Sequence, residues 1–236
     1  MKFGVVIFPG SNCDKDMIHV CKHVLKQEVV ELWHKDTDLG SFTSEDCIIL
    51  PGGFSFGDYL RTGAIARFSP IMTSVINHAA NGGKVLGICN GFQILCESGL
   101  LPGVLLRNKN QKFYCENRFV RVEQNTSTYT QNNKAGQILK IPVAHAEGRY
   151  HCDENTLHEI QANNQILFRY CEKNGEISEL GNFNGSIDNI AGIMNKNGNV
   201  FGMMPHPERA SEVELGNTDG LAMLLALAGE KRAAAV

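Results

Sequence analysis

The sequence begins with short, fully apolar runs that alternate with longer segments whose apolar residues recur at helical spacing. FGVVIF (residues 3–8) and CIIL (residues 47–50) contain no polar residue, which is typical of strands buried on both faces of a parallel sheet. Residues 14–27 and 64–80 have the helical period, and Pro70 should kink or divide the second segment. The strand candidates are residues 3–8, 29–33, 47–50 and 85–88. We therefore predict an α/β fold with a doubly wound, mostly parallel sheet.

The second half of the chain has a different pattern, in which polar and apolar residues alternate. RFVRVE (residues 118–123) is typical of a half-exposed antiparallel strand, and NKNGN (residues 195–199) predicts a hairpin turn. Residues 218–227 predict a closing helix with Thr218 or Asn217 as its N-cap. Further strand candidates are residues 137–143, 166–171, 190–194 and 200–204. These strands predict antiparallel additions to the sheet.

Length and composition fit one globular domain and exclude several classes of partner. The chain has 236 residues, of which 43% are hydrophobic and 20% charged, so we predict a single domain over residues 1–236. The formal net charge of −3 provides no broad basic surface for nucleic acid or an anionic membrane. The opening MKFGVVIFPG is too short for a membrane span and lacks a signal-peptide cleavage pattern.

Eight cysteines occur without a compact spacing pattern. They lie at positions 13, 21, 47, 89, 96, 115, 152 and 171, and no CxxC pair occurs. With no signal peptide recognised, reduced thiols and a cytoplasmic location are expected. Most of these cysteines are expected to be small buried hydrophobic residues.

Cys89 lies between two glycines at the point where a buried strand should pass into a helix. GICNG (residues 87–91) has the spacing of a strand-to-helix turn that presents a nucleophile, with Cys in place of Ser. Glycines relieve crowding in so tight a turn, and the N-terminus of the following helix favours a thiolate. The backbone amide of Asn90 would then face the position of an oxyanion. A buried structural cysteine beside flexible glycines is the alternative interpretation of this stretch.

A nucleophilic thiol needs a base, and MPHPE (residues 204–208) provides the best candidate. A residue before proline is pushed toward an extended conformation, and residues i and i+2 of an extended segment face the same side. We therefore expect His206 and Glu208 to project together, with the carboxylate fixing the imidazole tautomer. The alternative is a rigid proline-rich turn with a solvated histidine.

Gly52 and Gly53 directly follow the strand candidate at residues 47–50. Without side chains, their backbone amides can approach a ligand closely. One amide could be a second oxyanion donor beside that of Asn90, a role worth roughly 3 kcal/mol in the transition state. A common strand-ending turn is the alternative. Each of the three signals follows a strand, where ligands bind in parallel α/β sheets.

Taken together, these motifs resemble those of a known family. ILPGGF (49–54), GICNGFQ (87–93) and PHPE (205–208) resemble the class I (triad) glutamine amidotransferases. Longer stretches are similar to one group in that family, the glutaminase subunits (subunit I) of phosphoribosylformylglycinamidine synthase. They are VVIFPGSNCD (5–14), GGFSFGDYLRTGAIAR (52–67), VAHAEGRY (143–150), NFNGSIDNIAGI (182–193) and MMPHPERA (203–210). Ala146 departs from the family pattern, in which glycine is expected at this position.

The resemblance implies a role for each motif residue. Cys89 would attack the carboxamide carbon of glutamine and form a γ-glutamyl thioester. His206 would transfer the protons, and Glu208 would orient His206. The backbone amides of Gly53 and Asn90 would hold the oxyanion. The implied substrate-binding residues are Gln93, Phe54 and His145, and no metal ligand is implied.

The resemblance also implies a flavodoxin-like scaffold and partners in de novo purine biosynthesis. Ammonia released from glutamine would pass to a large synthetase subunit, which works with a small accessory subunit and converts formylglycinamide ribonucleotide to the amidine. ATP and Mg would be used by that synthetase subunit, because this chain has no Walker-type loop. No cofactor is implied in this chain, and neither nucleic acid nor a membrane is an implied partner. We expect Asp58, Tyr59 and Arg61 of the loop at residues 54–67 to face the partner.

Other interpretations stay open at this point. One is a different cysteine enzyme, or a stress-protein relative, on the same scaffold; the PHPE motif favours the amidotransferase. Another is a non-catalytic binding domain. The intact set of Cys, His and Glu argues against it. A third is a zinc site, because His19 and His23 would share a helix face and Cys13 and Cys21 are close in sequence, although no ligand-spacing pattern is complete.

Overall fold

The computed structural model describes residues 1–231, and this part of the chain has eleven strands, of which nine form one mixed sheet and two form a separate pair. The strands are β1 (Lys2–Ile7), β2 (Glu28–Trp33), β3 (Cys47–Leu50), β4 (Lys84–Ile88), β5 (Val104–Leu106), β6 (Tyr114–Val122), β7 (Ile138–His145), β8 (Arg149–His151), β9 (Ile166–Cys171), β10 (Ile190–Met194) and β11 (Val200–Met203). The helices are α1 (Asp14–His19), α2 (Ile71–Ala80), α3 (Asn90–Glu97), α4 (Glu154–Ala162) and α5 (Leu221–Leu227). The strand order is β2-β1-β3-β4-β11-β10-β9-β6-β7, and β5 pairs with β8 separately.

Strand direction divides the sheet into two parts. From β2 to β11 the neighbouring strands are parallel, and from β11 to β7 they are antiparallel. β3 lies inside the parallel part, and its four residues are all buried, which explains the continuous apolar run. The predicted α/β class, with a flavodoxin-like doubly wound sheet and antiparallel additions, is confirmed.

The first helices follow the sequence pattern with local modifications. α1 begins at Asp14 as predicted and continues through a π-helical turn over Val20–Val24. The segment predicted to kink or divide at Pro70 is divided there, into a short 3-10 turn (Ala66–Phe68) and α2. No helix in the described residues 1–231 is both long and apolar enough to cross a membrane.

The closing helix begins three residues later than predicted, and neither Thr218 nor Asn217 is its N-cap. Gly220 holds that position, and its amide donates to the Ala210 carbonyl oxygen at 2.7 Å. A Cβ on Gly220 would lie 2.3 Å from the Pro207 carbonyl oxygen. The turn before α5 is therefore packed against the chain that follows β11, and this tertiary contact sets where the helix begins.

The sequence pattern does not predict α4, β5 or β8. α4 exposes most of its surface and buries Ile160, so it has no clear apolar stripe. Its start is fixed instead by the Asp153 side chain, which accepts from the Thr156 amide at 2.8 Å. β5 and β8 have three residues each, which is too short for an alternating pattern to be recognised.

The strand order brings the three sequence signals to one edge of the sheet. β4 lies between β3 and β11, and the three strands are parallel. The chain leaving β3 leads to Gly53, the chain leaving β4 leads to Cys89, and the chain leaving β11 leads to His206. Segments that are distant in sequence therefore meet at the carboxyl ends of neighbouring strands.

Candidate active site

Cys89 occupies a strained turn between β4 and α3. Its φ of 50° and ψ of −105° lie outside the regions that L-residues ordinarily adopt, and the residue is 5% exposed. Its amide donates to the Met203 carbonyl oxygen at 2.8 Å, which continues the pairing of β4 with β11. α3 begins at Asn90, so the Asn90 amide belongs to the first turn, where no helix carbonyl is available to it. The observed turn has the form predicted for residues 87–91.

Both glycines of this turn are required by close contacts. A Cβ on Gly91 would lie 1.8 Å from the Leu50 carbonyl oxygen at the end of β3. A Cβ on Gly87 would lie 2.5 Å from a side-chain carbon of Leu95 in α3. α3 therefore packs directly on β3 and β4, and this close packing fixes the position of the Cys89 backbone.

His206 and Glu208 form a buried, hydrogen-bonded pair after β11. His206 Nδ1 lies 2.6 Å from Glu208 Oε1, and the two residues are 1% and 2% exposed. The His206 amide donates to the Pro142 carbonyl oxygen of β7 at 2.8 Å. His206 is extended as expected, but Pro207–Arg209 forms a 3-10 turn. The pair therefore forms through a turn, which corrects the expectation of strand-like alternation.

The electrostatics of this pair favour a charged imidazole. Burial lowers the pKa of His206, but the charges of the Glu208 carboxylate and of an ionised Cys89 sulfur, followed by the hydrogen-bonding influence of Cys13 and Cys89, outweigh burial and raise this pKa well above its ordinary value. His206 Nε2 makes no aligned hydrogen bond within residues 1–231. Catalytic hydrogen bonds are often long until substrate binds.

Cys13 is a second thiol beside the same imidazole, whereas the sequence pattern identifies it only as a possible zinc ligand. Its Sγ, a nitrogen of His206 and a carboxylate oxygen of Glu208 lie within 4.8 Å of one another. Arg209 Nη2 donates to Cys13 Sγ at 3.1 Å, and Arg209 Nε donates to Asp16 Oδ2 at 3.1 Å. Cys13 thus connects the histidine to a cationic side chain anchored on α1.

The zinc site considered as an alternative does not form. His19 and His23 have ring centroids 5.2 Å apart on the surface. Cys21 is fully buried in the core, and Cys13 lies beside His206. Among the described residues, the four side chains therefore do not converge on one point.

Gly53 lines the same pocket as Cys89. Its φ of 141° favours glycine, and it forms an antiparallel bridge with the loop after β1. The hydrogen bonds of the bridge come from its neighbours: the Phe54 amide donates to the Gly10 oxygen at 3.1 Å, and the Cys13 amide to the Gly52 oxygen at 3.3 Å. The bridge therefore does not use the Gly53 amide.

Cys89 lines a pocket of about 200 Å³. Drug-sized ligands occupy pockets of roughly 300 to 1,000 Å³, so this pocket suits a ligand of amino-acid size. The expected substrate-binding residues Phe54, Gln93 and His145 line the same pocket. The remaining lining residues are Gly53, Asp58, Thr62, Arg107, Ala144, Ala146 and Glu147.

Gln93 and His145 are buried polar residues of the pocket wall. Gln93 Nε2 donates to the Glu147 carbonyl oxygen at 2.6 Å, and Gln93 Oε1 accepts from Asn90 Nδ2 at 2.9 Å. His145 is 3% exposed, and its ring nitrogens have no partner in the part of the chain that the structure describes. Burial, followed by the charge of His206, lowers the pKa of His145 to about 3. The neutral His145 ring can therefore donate one hydrogen bond to a ligand and accept another.

The loop after β3 differs from expectation in one respect. Asp58 lines the pocket, whereas we expected it to face a partner. Tyr59 and Leu60 are 75% and 90% exposed beside it. Arg61 is bound to Glu97 of α3 by hydrogen bonds of 2.7 and 2.6 Å. The loop thus has a pocket-facing carboxylate and an exposed apolar tip.

Sequence reasoning missed part of the pocket wall. Thr62 and Glu147 lie inside two of the motif stretches, which is the signal that could have identified them. Arg107 lies in none of the motifs and reaches the pocket because it follows β5. Only the three-dimensional arrangement could identify Arg107.

Comparison with known proteins adds independent evidence. Residues 1–218 match the family model of the CobB/CobQ-like glutamine amidotransferase domain. Phosphoribosylformylglycinamidine synthase subunit PurQ of Acaryochloris marina is 57% identical over 221 residues, which cover 94% of this chain and 93% of the relative. The subunit of the same name from Moorella thermoacetica is 54% identical over 227 residues, covering 96% and 95%. A chain in the structure of PurLQS from Thermotoga maritima is 38% identical, with a TM-score of 0.84 and 97% of each chain covered. Similarity in sequence and in fold therefore extends over nearly the whole chain.

Proposed function

Because this chain belongs to the glutaminase subunits of phosphoribosylformylglycinamidine synthase, which are class I glutamine amidotransferases, we propose that Cys89 attacks the carboxamide carbon of glutamine. His206 accepts the thiol proton, and the resulting tetrahedral intermediate carries a negative oxygen. Glu208 holds His206 through Nδ1 and stabilises the imidazolium that forms. The observation that carries this mechanism is the buried His206–Glu208 pair beside the Cys89 thiol.

The backbone amides of Gly53 and Asn90 donate to that oxyanion. Asn90 follows Cys89 in the chain, and Gly53 lines the same pocket as Cys89. Neither amide is used by a strand ladder or a helix. Donors fixed in this way require no reorganisation when charge develops. The intermediate then collapses, the C–N bond breaks, and His206 gives its proton to the departing ammonia. This leaves a γ-glutamyl thioester on Cys89.

Water completes the cycle by hydrolysing the thioester. His206 removes a proton from the attacking water, the C–S bond breaks, and the Cys89 thiol is restored as glutamate leaves. Gln93, Phe54 and His145 line the pocket in which glutamine is held during both steps. The overall reaction converts glutamine and water to glutamate and ammonia.

The chain works as one subunit of a larger synthase. We propose that ammonia passes to a large synthetase subunit, which uses ATP and Mg to convert formylglycinamide ribonucleotide to the amidine with the help of a small accessory subunit. No cofactor is assigned to this chain. Its place in a purine-synthesising complex supports a cytoplasmic location.

Replacing Cys89 tests this function in the assembled complex. The Cys89→Ser variant should lose glutamine-dependent synthesis by at least about 10³-fold, because a hydroxyl is a far weaker nucleophile here than a thiolate. Synthesis from added ammonia should remain unchanged. Mass spectrometry of the wild-type chain with glutamine should detect a γ-glutamyl adduct on Cys89.

A matched control is Cys115→Ser, because Cys115 is the exposed cysteine. That variant should keep both activities. Loss of ammonia-dependent synthesis in Cys89→Ser would indicate a structural role for Cys89 and contradict the mechanism.

A further inference from the structure

The pocket beside Cys89 contains a carboxylate that has no hydrogen-bond partner. Asp58 Oδ1 is buried and makes no hydrogen bond to any group in residues 1–231. Burial, followed by the charge of Glu147, raises the pKa of Asp58 to about 6. The carboxylate is therefore largely ionised at neutral pH without a counter-charge, which is costly. A cationic ligand group would remove this cost.

The loop that carries Asp58 is held in an unfavourable backbone conformation. Phe56, Asp58 and Leu60 have φ values of 53°, 55° and 69°, in the region that non-glycine residues rarely adopt. The Phe56 amide donates to the Pro9 carbonyl oxygen at 2.6 Å, which ties the loop to the end of β1. Strain of this kind is concentrated at ligand sites. Here it accompanies a conformation that places Asp58 at the pocket.

The second carboxylate of the pocket, that of Glu147, is already paired. Thr62 Oγ1 donates to Glu147 Oε2 at 2.9 Å, and Arg107 Nη1 lies 3.6 Å from Glu147 Oε1. A guanidinium has five N–H donors in a fixed plane, so pairing with Glu147 leaves donors for another acceptor. Glu147 thus holds Arg107 at the pocket with binding capacity for an anion.

The pocket wall therefore presents an unpaired anion and a partly used cation in a cavity that Cys89 also lines. Glutamine carries the complementary pair of charges on its α-carbon. We propose that Asp58 binds the α-ammonium group of glutamine and that Arg107 binds its α-carboxylate. This inference rests on the proposed function and specifies how the same site selects a free α-amino acid amide.

Selectivity follows because a missing α-ammonium group leaves the half-buried Asp58 carboxylate without its partner. A missing α-carboxylate loses the charge-assisted contact with Arg107, whose side chain is half exposed and already lies near Glu147. A site built to pair a polar group rejects an analogue that lacks it far more strongly than a hydrophobic pocket does. Glutamine side chains within a polypeptide lack both free α-groups, so this site rejects them. Neutral His145, buried beside Cys89, adds no competing charge.

The assignment also predicts a dependence on pH. The ionisable groups that line the pocket with Asp58 are Glu147, Arg107, His145 and Cys89. Because the pKa of Asp58 is raised to about 6, its carboxylate becomes protonated and neutral as the pH falls through that value. The kcat/KM for glutamine should therefore decrease below about pH 6, and the Asp58→Asn variant should lack this step.

Two variants and three amides test the inference in the assembled synthase. The amides are L-glutamine, 4-carbamoylbutanoate, which lacks the α-ammonium group, and 4-aminobutanamide, which lacks the α-carboxylate. Asp58→Asn should lower kcat/KM for glutamine about 100-fold, and Arg107→Gln should do the same. Binding of each analogue is measured separately, as the concentration that halves the rate at which iodoacetamide alkylates Cys89.

The expected result is a crossed pattern. Asp58→Asn should weaken protection by 4-aminobutanamide and leave protection by 4-carbamoylbutanoate unchanged, and Arg107→Gln should do the opposite. Asp38→Asn, in an exposed loop, is the matched control and should change nothing. Equal weakening for all three amides, or an unchanged kcat/KM for glutamine in both variants, would overturn the assignment.

Two readouts separate this inference from the proposed function. Iodoacetamide is small and uncharged, so its reaction rate with Cys89 should be the same in wild type and both variants, as should ammonia-dependent synthesis. If no glutamine-derived adduct formed on wild-type Cys89, the proposed function itself would be contradicted. If the Asp58→Asn variant formed the adduct normally and kept the kcat/KM of the wild type for glutamine, only the role assigned to Asp58 would be contradicted.

Discussion

Glu208 acts on the nucleophile only through the imidazole that separates them. Its Oε1 accepts from His206 Nδ1 at 2.6 Å, which leaves Nε2 as the nitrogen that can take a proton from Cys89. The carboxylate also raises the pKa of His206 against the effect of burial. One side chain therefore sets both the tautomer and the charge of the base.

Replacing Glu208 by Gln should separate this role from folding. The amide can present its NH₂ group to Nδ1, which reverses the tautomer and places the proton on Nε2. We expect glutamine-dependent synthesis to fall about 10³-fold while ammonia-dependent synthesis is kept, with both rates measured on the assembled complex.

Glu212→Gln is the matched control, since Glu212 pairs with His19 on the surface at 2.8 Å. It should leave both rates unchanged. If Glu208→Gln kept more than about a tenth of the glutamine-dependent rate, orientation of His206 by Glu208 would not be required.

Residue-level prediction from the sequence succeeded where a short motif determines local geometry. Cys89 and Gly53 could be placed because glycines and a strand end specify the turns around them. Asp58 and Arg107 could not be placed, because their positions depend on a strained loop and on the packing of β5. Neither the strain of the loop nor the packing of β5 produces a hydrophobic or polar pattern that the local sequence would reveal.

At the scale of elements, α3 is positioned by its contact with β3. The Leu50 carbonyl oxygen occupies the space where a Cβ on Gly91 would lie. A methyl group there must push the helix away from the strand, and Cys89 moves with the helix start. Stability and nucleophile position are therefore coupled through one glycine.

Gly91→Ala should lower the free energy of unfolding by about 2–3 kcal/mol. It should also slow glutamine-dependent synthesis, because a displacement of about 1 Å at a reacting group can cost 100-fold in rate. Equilibrium denaturation by urea measures the first effect, and the rate of γ-glutamyl adduct formation on Cys89 measures the second.

Gly82→Ala provides a comparison, since a Cβ on Gly82 meets nothing within 4 Å although its φ is 85°. That variant should lose about 1 kcal/mol from backbone strain and keep its rate of adduct formation. An equal loss of stability in the two variants would show that the contact with β3 is not the cause.

Elements were predictable where their pattern arises from burial on both faces. β3 has the bounds expected from sequence, because its continuous apolar run ends at a Pro-Gly-Gly turn. β9 also has the expected bounds, although Arg169 interrupts its apolar residues. α5 begins later than expected because a contact with Pro207 competes with local capping. α4 was missed because its cap, rather than an apolar stripe, defines it.

For the whole molecule, the exposed tip of the loop after β3 connects the pocket to the protein surface. The tip consists of Tyr59 and Leu60, which directly follow the pocket residue Asp58. Tyr59 and Leu60 are exposed there, and large exposed apolar side chains often mark protein interfaces. Since the family works within a synthase complex, we expect this tip to contact the synthetase subunit.

Leu60→Lys should weaken association with the synthetase subunit about tenfold or more, because a charge would be buried at the interface. The unfolding midpoint of the isolated chain should not change, as the side chain is 90% exposed. Isothermal titration measures the association, and thermal unfolding checks the fold.

Leu180→Lys is the matched control, because Leu180 is 83% exposed but lies outside this loop. It should bind the synthetase subunit normally. Equal weakening by both substitutions would assign the effect to general charge, and no weakening by Leu60→Lys would place the interface elsewhere.

The interleaved strand order has a consequence for the chain as it emerges from the ribosome. β4, which delivers the thiol, is made early, but its neighbour β11, which delivers the imidazole, is made more than a hundred residues later. A partly synthesised chain can therefore hold a thiol without its base. Glutamine cleavage must wait until β11 and the segment carrying His206 have been synthesised, so a chain that stops before His206 cannot release ammonia.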